Sequence, residues 1–434
     1  MVHPPNCFRE KPGSLVRFNT AHSLKKWSRL AICWFLFLFV VLMPAELVNA
    51  HSVYAPVEAP QPGLQGEYFD NTDLALPFVL SRMDATVDFL WVGGAPSPEL
   101  PRDNFSVRWT GQVQAQYSET YSFHTFSDDG VRLWVDGKLL IDNWTVHGTT
   151  EDIGSVDLIA GQWYDIRLEY FELGGEARMS LEWSSDSTPQ EVIPTSALRY
   201  PDTSKYGVSL STMTQAADGG SPVSIAVEIL DPANNPLVGL PIFVQVSGEF
   251  NSINGTDVLP GQWVPVGQTD SNGYAGASLT STLAETKWVL VRVGDIVLLP
   301  AMEVEFTPGE PSSVQILLPG EEPYPGDDPG MIGDTDPIVV GQTANVRLRV
   351  VDSLWNLVES FNGEVALSTS DPAALLPSSV TITNGEATFS ATWNTPGEHI
   401  FTVDTIADPD LDGGRPIEVL SSRVPGLQGR YFNN

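Results

Sequence analysis

TYSFHTFSDDGVRLWVDGKLLIDNW, residues 120–144, is the stretch that decides how the chain is read. Val131, Leu133 and Val135 recur at period two, the spacing of a half-buried strand. Asp136-Gly137 follows, a dipeptide suited to the left-handed residues of a tight hairpin turn. Just ahead of the strand stand Asp128, Asp129 and Gly130. Adjacent side chains on a regular strand point to opposite faces. Two neighbouring carboxylates therefore reach one ion only where the backbone departs from the strand. Taken alone, Asp-Asp-Gly reads as an ordinary exposed turn, since Asp and Gly are turn residues.

The same period recurs on both sides of this stretch: Tyr164/Ile166/Leu168/Tyr170, Ile225/Val227/Ile229, Ile242/Val244/Val246 and Val346/Leu348/Val350. Asn272-Gly273, Asn362-Gly363 and Asn384-Gly385 add further hairpin-turn signals. No amphipathic helix of three turns is visible. Closely spaced strands without crossover helices predict an all-β protein built of antiparallel sandwiches.

The 434 residues carry a formal net charge of −32, and their length suggests two to four domains. Of the 22 basic residues six precede His51, and of the 54 acidic residues only two do, leaving 16 against 52, net −36, beyond it. So acidic a body repels phosphate backbones, which argues against nucleic acid as a partner. With 10% aromatic and 42% hydrophobic residues it is not a disordered acidic tail. Cys7 and Cys33 are the only cysteines, both in the first 50 residues. A disulfide framework, a thiolate zinc site and a cysteine nucleophile are excluded after residue 50.

Residues 30–45, LAICWFLFLFVVLMPA, form an apolar run behind Lys25, Lys26 and Arg29, and Val48 and Ala50 stand at signal-peptidase spacing. This predicts a signal peptide over 1–50 and a secreted or cell-surface protein. An uncleaved anchor is the rival reading, but sixteen residues fall short of the roughly 20 that span a bilayer. The exported part then touches no membrane unless it is anchored. Residues 51–61 are Pro-containing and aperiodic, the pattern of a linker. Residues 62–71, PGLQGEYFDN, recur as PGLQGRYFNN at 425–434, identical at eight of ten positions. A looser echo joins VEILDPANNPLV (227–238) to LRVVDSLWNLV (348–358). These repeats place one large module at 62–201, smaller ones at 202–310 and 311–423, and the first strand of another large module at 424–434.

Residues 62–201 resemble the lectin-like domain named after the N-terminal fragment of anthrax protective antigen, the PA-fourteen domain. The segments that carry the resemblance are GLQGEYFDN, DNFSVRWTGQV (103–113), the stretch 120–144, AGQWYDIRLEYFE (160–172) and LEWSS (181–185). The resemblance implies a β-sandwich that binds sugar through a calcium ion held by two adjacent aspartates joined by a cis peptide. They map onto Asp128 and Asp129. Ca²⁺ takes six to eight oxygens, and without it two carboxylates this close repel each other. The second ligand loop maps onto 171–177, with Glu172 standing where the adhesin branch places Asn and Gly174 and Glu176 offering carbonyls. Glu172 as a solvated loop charge is the alternative. Trp144, His147 and Asn143, beyond the hairpin tip, are candidates to contact a sugar, with a buried Trp and a turn Asn as their ordinary roles. Trp109, Trp134 and Trp183 read as core or structural.

Residues 202–310 resemble the bacterial immunoglobulin-like repeats of invasin and intimin type, on VSIAVEILDPANNPLVGLPIFVQVSG (223–248) and GQTDSNGYAGASLTSTLA (267–284). Residues 311–423 look like a related Ig-like repeat. The resemblance implies two Ig-like β-sandwiches serving as spacers. Asp408, Asp410, Asp412 and Gly413 match the start of an EF-hand loop, but the twelfth position is Val419 and flanking helices are missing. Residues 321–337, with six acidic residues and four Pro, read as a surface loop. His51, His124, His147 and His399 form no HExxH, and no Ser lies in a G-x-S-x-G elbow. The expectation is therefore a non-enzymatic, calcium-dependent lectin or adhesin that binds glycans or cell-surface polysaccharide. The alternatives are a structural spacer of an extracellular assembly and a non-catalytic accessory region of a larger secreted glycoside hydrolase. Asn104, Asn143 and Asn254 lie in glycosylation sequons.

Overall fold

The computed structural model describes residues 52–53, 60–406 and 411–421. The leader 1–50, the repeat at 425–434 and Asp408 and Asp410 of the EF-hand-like run lie outside the described residues. Among the described residues all regular structure is β, apart from a single 3-10 turn at Thr195–Ala197. Three hydrophobic cores follow one another, from Leu64 to Leu198, Tyr200 to Phe306 and Val314 to Val419, and a smaller fourth cluster of Phe69, Leu74, Leu76, Leu290 and Val297 joins the first two.

The first core lies between two sheets. One has the order Gln61–Pro62, Leu198–Tyr200, Phe105–Gln114, Trp163–Glu172, Val131–Val135 and Lys138–Asn143, with Leu64–Phe69 also paired to Phe105–Gln114. The other runs Thr150–Leu158, Glu119–Asp128, Arg178–Ser184, with Asp88–Leu90 also on that last strand. Val131, Leu133 and Val135 are fully buried while Arg132 and Trp134 between them face the other way. Burying each such apolar side chain is worth roughly 1.5–3 kcal/mol, so this alternation sets the strand's face. Asp136 and Gly137 take φ of 53° and 69°, and Asn384 and Gly385 take 50° and 76°, the two left-handed residues the hairpin signal predicted. Asn362-Gly363 differs, because Gly363 already opens the strand Gly363–Thr369 and neither residue has positive φ.

The second and third sandwiches depart from the antiparallel expectation in the same way. Thr214–Ala216 pairs in parallel with Ile296–Thr307, and Ile338–Val339 pairs in parallel with Asp412–Leu420. In each case the entering chain lays one strand on one sheet and crosses to the edge of the other, so no crossover helix is required. The echo between 227–238 and 348–358 is the same loop built twice. Asp231 Oδ1 accepts from the N–H groups of Ala233 and Asn235, and Asp352 Oδ1 from those of Leu354 and Asn356, all at 2.8–3.0 Å. The residue before each Asn-anchored turn closes is left-handed, Asn234 at 64° and Trp355 at 66°. The segment read as a linker also differs. Ser52–Val53 pairs with Val208 and Ser209, and Gln61–Pro62 with Arg199 and Tyr200, each closing a sheet edge that would otherwise present unpaired backbone.

The first two sandwiches meet over buried charge. Glu169 accepts from Arg167 at 2.7 Å, Arg132 at 2.8 Å and Arg108 at 3.4 Å. Arg108 also reaches Glu67 at 3.1 Å and Gln245 of the second sandwich at 3.4 Å. Arg167 reaches Asp295 at 3.2 Å, which Arg292 holds at 2.8 Å. Tyr200 donates its hydroxyl to the carbonyl of Val297 at 2.6 Å. Trp134, expected to be structural, lies beneath the Arg167 guanidinium at 3.6 Å, while Trp109 and Trp183 are buried in the first core.

Candidate metal and ligand site

Asp128 is the last residue of the strand Glu119–Asp128, and Val131 opens a strand in the opposite sheet. The chain changes sheets across Asp129 and Gly130, and the Asp128–Asp129 peptide is cis. Gly130 is dictated by space, because a Cβ there would lie 2.2 Å from the ring of Phe171. Phe171 and Glu172 end the strand Trp163–Glu172, which pairs with Val131–Val135. The fold thus delivers Asp128, Asp129 and Glu172 to one place, with a carboxylate oxygen of each within 4.8 Å of the others.

The three acids are held differently. Asp129 is 2% exposed and rigidly oriented: its Oδ1 accepts from the N–H of His147 at 2.8 Å and its Oδ2 from that of Leu173 at 2.9 Å. Asp128 accepts from Thr149 Oγ1 at 3.2 Å through Oδ2, and its carbonyl accepts from the Tyr170 hydroxyl. Glu172 is fully buried, which removes the solvated-loop alternative. Its Oε2 lies 3.3 Å from the Tyr170 hydroxyl, while its buried Oε1 has no hydrogen-bond partner. Burial, then the charges of Asp129, Asp128 and Asp103, push the Glu172 carboxyl up to about 7 against the donating Tyr170. Burial, then the charge of Glu172 and after it those of Asp129 and Asp128, pushes the Tyr170 phenol well above its ordinary range. No Arg, Lys or His forms an ion pair with any of the three acids among the described residues. Three clustered carboxylates with no cationic partner offer the kind of oxygen ligands that a hard divalent ion takes.

The remaining predicted residues are distributed around this cluster. Gly174 and Glu176 are exposed in the loop that follows Glu172, and the Glu176 side chain is not one of the clustered acids. His147 touches the site through its backbone, while its Nδ1 lies 2.9 Å from the Gly148 carbonyl and its Nε2 is buried without a partner. Two candidates are engaged elsewhere. Asn143 donates to Asp152 at 3.0 Å and accepts from Thr145 at 2.6 Å. The half-buried Trp144 ring packs edge-on against Phe171 at 4.8 Å and under Arg132 at 4.0 Å, so packing occupies both partners. Sequence reasoning missed Tyr170, Thr149 and Asp103. Tyr170 was legible only as part of an alternating strand, and nothing in the spacing of Asp103 or Thr149 ties them to Asp128.

Comparison with known proteins bears on this region. The chain is 49% identical over 139 residues to the anti-sigma-I factor RsgI3 of Acetivibrio thermocellus, covering 32% of this chain and 21% of that protein. It is 23% identical over 167 residues to the protective antigen of Bacillus anthracis, covering 37% of this chain and 21% of that one. The chain thus spans about a fifth of the length of these curated relatives. Among solved structures, an anti-sigma factor domain-containing protein from Clostridium clariflavum is 26% identical, covering 56% of this chain and 99% of its own, at TM-score 0.32. The family model of the PA14 domain matches residues 60–197, and a PA14 domain is therefore present in this part of the chain.

Proposed function

We propose that the first sandwich binds carbohydrate through a calcium ion held by Asp128, Asp129 and Glu172, with carbonyls of the 173–177 loop, Gly174 and Glu176 among them, completing the shell. The observation that carries this reading is Glu172, a buried carboxylate with one unpartnered oxygen, clustered with Asp128 and Asp129 and without an ion-pair partner among the described residues. When bound, the calcium supplies coordination positions that vicinal sugar hydroxyls fill. The chain's own contribution is orientation. His147 and Leu173 N–H groups fix Asp129, Gly130 lets Phe171 close behind the site, and Thr149 steadies Asp128. We take the second and third sandwiches as Ig-like spacers and the protein as secreted or cell-surface, in line with the leader pattern.

The reading is non-catalytic. Ser184 Oγ, His124 and Glu151 stand in a hydrogen-bonded line, each step 3.0 Å, on the outer face of the second sheet. That order imitates a hydrolase relay, but the N–H after Ser184 is given to Thr188 at 2.8 Å, leaving no donor there for an oxyanion. A second reading comes from the 49% relative, whose name is that of an anti-sigma factor. In it the same sugar site reports on glycans to a regulatory partner, so the two readings differ in what binding triggers and not in what is bound. A glycan array probed with the full exported chain in Ca²⁺ and in EDTA tests the shared step. EDTA-sensitive binding is expected, and binding to no glycan in either condition would overturn it.

A further inference from the structure

Residues 62–201 contain eight cationic side chains. Arg82, Arg102, Arg108, Arg132, Lys138 and Arg167 each stand in an ion pair, and Arg199 donates to Gln112 at 2.9 Å. Among the described residues Arg178 alone of the eight has neither a hydrogen bond nor an ion pair. Its one partner is the ring of Phe126, 5.5 Å from the guanidinium carbon. In a module this acidic an unclaimed guanidinium is unusual, and its position is specific. Arg178 pairs in register with Asp128, so the two side chains leave the same face of the sheet as neighbours about 5 Å apart at Cβ. Thr149 flanks Asp128 on the other side, Leu90 lies beyond Arg178, and Phe126 shares the face two residues along. The acids on this face are Asp128, Glu151, Asp88, Glu182 and Asp157, and none of them captures Arg178.

We infer that Arg178 is a selectivity residue that reads a carboxylate on the bound sugar, so that the site prefers uronic acids to their neutral counterparts. This rests on the calcium-dependent sugar reading given above. A guanidinium held beside an aromatic ring and making no hydrogen bond of its own keeps its planar fork of N–H groups available, the geometry that matches a carboxylate bidentately. Phe126 and Leu90 supply an apolar floor on which the ring of a sugar can rest while its acid group reaches Arg178. The acidic surface elsewhere does not forbid an anionic ligand, because charges more than about 8 Å away are largely screened at physiological salt. Around the site itself the ion and Arg178 together offset the charge of the three clustered carboxylates.

The test measures binding of galacturonate and glucuronate oligosaccharides against galactose and glucose oligosaccharides of equal length, at fixed free Ca²⁺, to the full exported chain and to Arg178→Gln and Arg178→Lys. Wild type is expected to favour the uronates, Arg178→Gln to lose on the order of tenfold or more of that affinity, and neutral binding to stay within about twofold. Arg178→Lys, which keeps the charge without the fork, is expected to fall between. The rise in melting temperature on adding Ca²⁺, read on each variant, is expected to persist and shows that fold and ion site are intact. Calcium-dependent binding with no uronate preference, or a preference untouched in Arg178→Gln, overturns the role of Arg178 and leaves the calcium reading standing. Absence of any calcium-dependent sugar binding overturns both.

Discussion

Glu169 and Glu172 lie three residues apart on one strand, both almost completely buried, and they are handled in opposite ways. The odd spacing turns them to opposite faces. Glu169 faces the second sandwich, where burial pushes its carboxyl up but the guanidiniums of Arg167, Arg108 and Arg132 outweigh that and hold it below its ordinary value. Glu172 faces Asp128 and Asp129, meets no cation, and is pushed up to about 7. An ionised carboxylate taken out of water needs a compensating charge. For Glu169 the chain supplies it from three other strand positions. For Glu172 it supplies none, and burial beside Asp129 and Asp128 favours its protonated form instead.

The largest expected effect separates the two. Glu169→Gln leaves three guanidiniums without their shared carboxylate and is expected to destabilise the fold by about 3–5 kcal/mol, with or without calcium. Glu172→Gln is expected to leave the calcium-free protein no less stable than wild type, while abolishing most of its stabilisation by calcium, which for an intact site is about 2.7 kcal/mol at a hundredfold excess over Kd. Denaturant titrations in EDTA and in Ca²⁺ check both. A calcium-free loss in Glu172→Gln as large as that in Glu169→Gln would break the comparison.

A change of pH sharpens it. The folded Glu172 carboxyl, at about 7, lies above its ordinary 4.5, so the calcium-free fold loses stability as pH rises from about 4.5 to 7. Below about 7 the ion must displace a proton from Glu172, and apparent calcium affinity is expected to fall by up to tenfold per pH unit between 7 and 5. Calorimetric titrations at pH 8, 6.5 and 5.5 measure this. An affinity independent of pH over that range would mean that Glu172 is not a ligand. The smallest effect is expected at Lys138, whose pair with Asp136 is exposed and 3.8 Å long. Lys138→Ala is expected to lie within about 0.5 kcal/mol of wild type by the same denaturation assay.

What was legible in the sequence follows from the range of the interactions. The period-two runs and the turns at Asp136-Gly137 and Asn384-Gly385 are local, and the structure has them as read. That Asp128 and Asp129 lie together was legible because they are adjacent, and the resemblance of the loop at 171–177 pointed to Glu172; the structure brings the three carboxylates to one place. The arginines around Glu169 were not, since Arg108 sits 61 residues away and Asp295, which anchors Arg167, 128 away in another sandwich. Trp144 was open between sugar contact and packing, and only the arrival of Phe171 and Arg132 on either side shows the packing. The residues 51–61 looked unstructured because two-residue edge strands leave no periodic trace.

The most direct test of the contrast is a calcium titration of residues 51–434 beside their Asp128→Asn/Asp129→Asn double variant, followed by heat release and melting temperature. One site per chain and a melting temperature that rises with Ca²⁺ are expected in wild type, and neither signal in the double variant. A rise of equal size in both proteins would contradict this expectation.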